Sequence, residues 1–260
     1  QTQFHHVVRT IPGNGQVIYP AGVEAIEQVL EKGCWAEQLP FSQFNDMNQN
    51  SSPNWHQLDA AGSNFEVSLG DEKQTVKWTL TGRHNVENGT AAMLAARHVG
   101  VTLAHSGEAL SCFEGVKRRM ERIATIGDVS IYDDFAHHPT AIETTLDGLR
   151  KQVGTATVIA LVEPRSNTMK MGVHAQTLLA SAEQADKVIW ADLSDMGWLE
   201  AQIQHDQDKH ALGQSVEELI DKTINSIKGE THIVIMSNGG FSGIHQLLIK
   251  KLKSHIGEVE

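Results

Sequence analysis

Apolar positions follow two different rhythms along this chain. From Gly127 onward, short apolar and β-branched runs at 129–132, 157–162, 187–191 and 232–237 alternate with stretches of helical character at 139–152, 174–184, 215–228 and 243–254. Ile142, Leu146 and Leu149 show the helical spacing in the first of those stretches. Strand and helix taking turns predict an α/β domain with a mostly parallel sheet and helices on its faces. In such a sheet ligands bind beyond the carboxyl ends of the strands, so chemistry is expected where each run stops.

The first half is less regular. Short extended pieces at 16–19, 34–36, 65–69 and 76–80 predict mostly β structure up to about residue 82, with hairpin-turn composition at 70–73. A helix is expected at 21–30 and an exposed loop at 45–54, where Asn, Gln and Ser crowd together. From Leu80 the chain leaves a strand, passes Gly82 and enters an alanine-rich helix reaching about His98; another helix is expected at 106–113.

Polar residues concentrate where the runs of the second half end. The first run leads into Asp133-Asp134-Phe135-Ala136-His137-His138-Pro139, the second into Glu163-Pro164-Arg165-Ser166-Asn167-Thr168-Met169-Lys170, and the last into Ser237-Asn238-Gly239-Gly240. Two carboxylates and two imidazoles on one strand-to-helix turn suit an ionic ligand, although a solvated turn with Pro139 at the first helical position has the same composition. No Cys cluster or His-x-x-x-His helix is present to complete a zinc shell. In the first half, His84, Asn85 and Asn88 stand at a helix start, where a carboxamide can meet the mixed donor and acceptor edge of a purine or simply cap the helix. Lys117, Arg118, Arg119 and Arg122 form either a solvated face or a phosphate and ribose clamp.

Composition narrows the classes. At 260 residues with 40% hydrophobic content, the chain can build two modest cores. A formal net charge of −11 opposes a nucleic-acid surface, and no apolar run approaches the ~18 residues of a membrane span. Cys34 and Cys112 lack any CxxC spacing, so no disulfide framework is indicated and a cytoplasmic setting is expected. The chain starts on Gln1 without an initiator Met, as a fragment would.

Taken together, His84-Asn85-x-x-Asn88 before the Ala-rich helix, Gly115-Val116-Lys117-Arg118-Arg119, and Asp133 through Thr140 resemble the muramyl ligase family of ATP-dependent enzymes of bacterial cell-wall synthesis. The stretches 163–172 and 236–241 are most similar to the branch that joins the tripeptide L-alanyl-γ-D-glutamyl-meso-diaminopimelate to UDP-N-acetylmuramate in peptidoglycan recycling. The resemblance implies that 1–114 is the C-terminal portion of a mixed α/β central ATPase domain and 115–260 a Rossmann-like C-terminal domain. No G-x-x-G-K-[ST] phosphate loop occurs, so a partial enzyme is expected, with the Mg²⁺ ligands mainly outside this chain.

By the same resemblance, His84, Asn85, Asn88, Arg119 and Asp134 would bind ATP, with Asn88 on adenine and Arg119 and Asp134 on ribose. His137 and His138 would face the reaction centre as phosphate contacts or as proton acceptors, and Arg165, Ser166, Asn167, Lys170, Asn238 and Gly239 would read the tripeptide. No resident metal site is expected in the chain itself, and the oligomeric state is left open. Three other readings stay open: an enzyme adding alanine to UDP-N-acetylmuramate, a non-catalytic nucleotide- or peptide-binding module, and a metal-dependent hydrolase using Asp133, Asp134, His137 and His138.

Overall fold

Thr157–Val162 and Thr231–Met236 are apolar on both faces, a composition stable in water only when layers cover each side of the sheet they join. The computed structural model, which describes residues 1–44, 53–165, 171, 175–193, 197–204 and 206–257, shows that arrangement in the second of two units, Gln1–Glu114 and Gly115–Glu260.

The first unit comprises α1 (Thr2–Val8), β1 (Gln16–Pro20), α2 (Glu24–Glu31), β2 (Glu37–Gln43), β3 (Asn54–Gln57), β4 (Asn64–Leu69), β5 (Glu72–Lys77), α3 (Arg83–His98) and α4 (Leu103–Ser111). Its five strands lie in chain order, β1 to β3 parallel and β3 to β5 antiparallel. Alternation along β4 and β5 buries Phe65, Val67 and Val76 in one cluster with Val86, Met93 and Leu94 of α3. Gly70, at φ 59°, turns the hairpin between β4 and β5. Small residues in α3 have a packing reason: a Cβ on Gly89 would lie 2.9 Å from Trp78 Cη2 and 3.1 Å from Phe65 Cζ.

Several expectations for this unit change. The region to residue 82 is mixed rather than mostly β, since α1 joins the helix expected at 21–30, which forms as α2. No strand forms at 34–36; Trp35 is 73% exposed and β2 begins at Glu37. The strand expected at 76–80 is β5, displaced toward the N-terminus, because β5 is an edge strand whose Glu72 and Lys73 face solvent and mask the β pattern. Of the expected loop at 45–54, residues 45–52 lie outside the described residues and Asn54 starts β3.

The second unit comprises β6 (Glu121–Ile126), β7 (Val129–Asp134), α5 (Pro139–Val153), β8 (Thr157–Val162), α6 (Ala175–Ser181), β9 (Lys187–Ala191), α7 (Trp198–Ile203), β10 (His210–Gly213), α8 (Val216–Asn225), β11 (Thr231–Met236), a short 3₁₀ turn at Phe241–Gly243, and α9 (Ile244–Gly257). The six strands run β10-β9-β8-β11-β7-β6, all parallel except the antiparallel edge pair β6 and β7. β6, β10 and α7 go beyond the alternation expected from sequence: β6 is hidden in the cationic stretch, and β10 and α7 are too short to show a period.

Successive side chains in these strands go to opposite layers. Tyr132, Val158, Ala160, Val162, Val188, Trp190, Val234 and Met236 pack with Ile142, Leu146 and Leu149 of α5, Leu178 of α6 and Leu199 of α7. Ile131, Ile159, Leu161, Ile189, Ile233 and Ile235 pack with Leu219 and Ile224 of α8 and Ile244, Leu248 and Leu252 of α9. The connections from β7 to β10 thus cover one face, and the return through α8 to β11 covers the other. β11 enters the sheet between β7 and β8, so the chain leaves neighbouring strands toward opposite faces there. That switch point is where an open α/β sheet forms its ligand crevice.

Candidate functional site

At the end of β7, Asp134 is 3% exposed, and its carboxylate organises the turn that follows. Oδ2 accepts from the Met120 amide at 2.7 Å and Oδ1 from the Ala136 amide at 2.7 Å, while its carbonyl accepts from the Ser237 amide at 3.0 Å. Burial pushes its pKa above the ordinary 3.8; the two amide hydrogen bonds and the Arg119 charge oppose that shift without cancelling it.

Beyond Asp134 the turn opens. Phe135 is half-buried, and the guanidinium carbons of Arg118 and Arg119 lie 5.3 and 5.4 Å from its ring centroid. Arg119 itself is exposed. His137 Nδ1 sits 3.0 Å from the Phe135 carbonyl oxygen, and the ring packs edge-on against Phe135. A carbonyl can only accept, so Nδ1 carries the proton and Nε2 is the nitrogen left for a ligand. His138 is exposed and extended at φ −109°, ψ 145°, and Pro139 opens α5 with no side-chain cap before it.

The loops after β8 and β11 meet at the same edge. The Ser237 hydroxyl donates to Glu163 Oε2 and accepts from the Gly239 amide at 2.9 Å. Arg165 is an exposed residue whose guanidinium lies directly against Gly239: a Cβ there would fall 1.7 Å from Arg165 Nη1, so only glycine leaves room for the guanidinium in this position. Asn238 keeps its carboxamide oxygen buried with no hydrogen-bond partner. A buried acceptor without a partner costs about 1–3 kcal/mol, which makes that oxygen a natural receptor for a donor on a ligand. Arg165, Asn238 and Gly239 are therefore together, whereas Ser166, Asn167 and Lys170 lie outside the described residues.

In the first unit, His84, Asn85 and Asn88 occupy the first turns of α3, after Gly82 at φ 92°. Asn85 Nδ2 donates to the Thr81 carbonyl at 2.7 Å, closing the helix start, whereas Asn88 is exposed one turn later. The carboxamides that share a sequence spacing thus divide between a structural and a solvent-facing position.

Sequence reasoning placed Arg118 only within the cationic stretch and Asp133 only in the hydrolase alternative, and gave neither a role in the ligase site. Arg118 Nη2 donates to the carbonyls of Ser237 and Gly239, each at 2.7 Å, and its Nε is 3.3 Å from Asp133 Oδ2. His245, on the first turn of α9, brings Nε2 to 3.2 Å from Asp133 Oδ1, close enough for an ion pair but out of hydrogen-bond alignment. The cationic stretch was the only sign of Arg118, and nothing in the sequence links it to position 239. Among the described residues no group of three or more His, Cys, Asp and Glu is placed to hold a metal ion. No described helix is long and apolar enough to cross a membrane.

Comparison with known proteins places this architecture. Residues 118–239 match the Mur ligase, glutamate ligase domain. The chain is 42% identical over 258 residues to the UDP-N-acetylmuramate–L-alanyl-γ-D-glutamyl-meso-2,6-diaminoheptandioate ligase of Escherichia coli, covering 97% of this chain and 54% of that protein. A murein peptide ligase from Psychrobacter arcticus superposes with a TM-score of 0.72 at 40% identity, over 97% of this chain and 54% of the other. A MurF ligase from Thermotoga maritima in complex with ADP has the same fold, with a TM-score of 0.73 at 16% identity over 96% of this chain and 56% of that one. The chain spans about half the length of the curated relatives it matches.

Proposed function

Since the chain belongs to the Mur ligase family, we propose that it supplies the nucleotide-side and acceptor-side residues of an ATP-dependent amide ligase. The ligase joins L-alanyl-γ-D-glutamyl-meso-diaminopimelate to UDP-N-acetylmuramate in peptidoglycan recycling, a cytoplasmic reaction. The observation that carries this reading is the convergence of the β7, β8 and β11 loops at the switch point, where Arg165 and the unpartnered Asn238 oxygen stand beside the Asp134 turn. In this reading 1–114 is the later part of the ATPase domain.

In the reaction, a carboxylate oxygen of the muramate attacks the γ-phosphorus of ATP, releasing ADP and leaving an acyl phosphate. The tripeptide amine then attacks the acyl carbon, and phosphate departs as the amide forms. The amine must lose a proton, and His137 Nε2 is suited to take it because Nδ1 is engaged by the Phe135 carbonyl. Arg119 and Asp134 take the ribose side, with Asp134 acting first by holding the Met120 and Ala136 amides in place. Asn88, exposed on α3, is the adenine contact, with His84 and Asn85 shaping its wall. Arg165 forks onto a tripeptide carboxylate, and Asn238 accepts from a peptide N–H.

ATP hydrolysis dependent on both UDP-N-acetylmuramate and the tripeptide, measured on the gene product that carries this chain, tests the proposal. Release of ADP and formation of the UDP-muramyl tripeptide are expected; turnover with L-alanine in preference to the tripeptide would overturn it. The missing phosphate loop supports a second reading for the 260 residues alone, as a binding module that holds ligands without turning ATP over. Steady ATP hydrolysis by the isolated chain would contradict that reading.

A further inference from the structure

The segments that form the site in the second unit leave different strands, and one residue, Arg118, bonds to the ends of two of them, β7 and β11. The main-chain carbonyl of Arg118 accepts from the Phe135 amide at 2.9 Å, its amide donates to Glu121 Oε2 at 2.9 Å, and its guanidinium holds the Ser237 and Gly239 carbonyls while facing Asp133. Arg118 makes these contacts from the left-handed backbone conformation, φ 60°, with Met120 at φ 49° two residues on. Non-glycine residues persist in that region only where surrounding bonds over-determine them, and such positions gather at functional sites. Arg165 also lies against Gly239, seated where a Cβ would be, so whatever fixes the Gly239 peptide also fixes the bed of that guanidinium.

We propose that Arg118, held by Asp133, is a positioning residue that couples the nucleotide side of the site to its acceptor side. It ties the Gly239 peptide, and through it Arg165, to the turn carrying Arg119, Asp134 and His137. The inference rests on the ligase reading above and adds to it a specificity role for a residue that touches neither ligand. Arginine is needed because one guanidinium nitrogen, Nη2, donates to both carbonyls while the neighbouring Nε faces the carboxylate; an ammonium offers no such planar spacing.

The test uses the gene product carrying this chain, with Arg118→Lys, Arg118→Gln, Asp133→Asn and Arg165→Gln. Losing the tether is expected to lower kcat/KM for the tripeptide on the order of 10-fold to 100-fold, as ångström-scale misplacement does. The fall should appear in the tripeptide KM more than in kcat, with a smaller rise in the ATP KM. Arg165→Gln should raise the tripeptide KM and leave the ATP KM unchanged. Arg118→Gln and Asp133→Asn combined should cost no more than the worse of the two, since they break one connection. Arg118→Lys, which keeps charge and solubility, should show the same direction of change even where Arg118→Gln fails to fold. A purely structural role predicts lowered Tm with both KM values unchanged, and that outcome overturns the proposal. An unmutated protein that ligates no tripeptide would instead overturn the ligase reading, so the two failures are distinguishable.

Discussion

The turn after β7 and the loop after β11 leave the same edge of one sheet, yet they treat their polar groups in opposite ways. Asp134 gives both carboxylate oxygens to backbone amides and is sealed from water. Asn238 keeps a buried carboxamide oxygen with no partner, and Arg165 beside it is an exposed residue whose guanidinium lies against Gly239. Polar groups that complete their hydrogen bonds within the protein build the shape of a site, and those left over are the ones a ligand can reward. The same division recurs in the first unit between Asn85, bonded to Thr81, and the exposed Asn88.

The contrast breaks most easily at Asp134. Replacing it with Ala leaves the Met120 and Ala136 amides without their acceptor, so stability should fall by at least about 2 kcal/mol in urea denaturation, at about 1–3 kcal/mol per orphaned group. If Asp134→Ala keeps its stability and loses only ATP affinity, the carboxylate is a ligand contact and the contrast is wrong.

Gly239→Ala probes the other side. The intruding Cβ meets the flexible end of Arg165, which can swing away, so Tm should barely move while the tripeptide KM rises by about tenfold, equivalent to ~1.4 kcal/mol. A large loss of stability with unchanged KM would make Gly239 a folding residue instead.

Between the carboxamides, Asn85→Ala should cost about 1 kcal/mol of stability, the usual worth of such a bond, and Asn88→Ala almost none. Nucleotide affinity by calorimetry should respond the other way, with the larger loss at Asn88; equal losses would erase the distinction.

The smallest effect is in pH. Because burial raises the folded-state pKa of Asp134 above 3.8, the folded protein binds a proton more tightly than the unfolded chain. Its contribution to stability is fully present below pH 3.8 and is lost as pH rises through the raised value. Asp134→Asn should remove that component from the urea midpoint measured across the window, whereas an unchanged profile would mean that the amide bonds outweigh burial.

The strands expected at 157–162 and 187–191 coincide with β8 and β9, because a strand buried on both faces must be apolar throughout and shows itself without neighbours. Edge strands hid better: β5 and β6 carry charge, and the short β10 shows no pattern of its own. The loops that hold the site were legible for a related reason, since strand ends in a parallel sheet gather at one edge whatever their order. Which of their residues act on the backbone and which face outward was not legible, because Asp134 and Asp133 are adjacent, as are Arg118 and Arg119, and each neighbour has a different task.

Sequence by itself determined the alternating sheet, the edge at which its candidate site residues gather and the residue types available there, since apolar period and chain direction are local properties. Only the tertiary structure decided that β11 enters between β7 and β8, that Arg118 reaches the carbonyl of Gly239, and that Gly239 makes room for Arg165. Those contacts join residues 74 to 121 positions apart, and a pairing at that distance exists only once the sheet between them has formed.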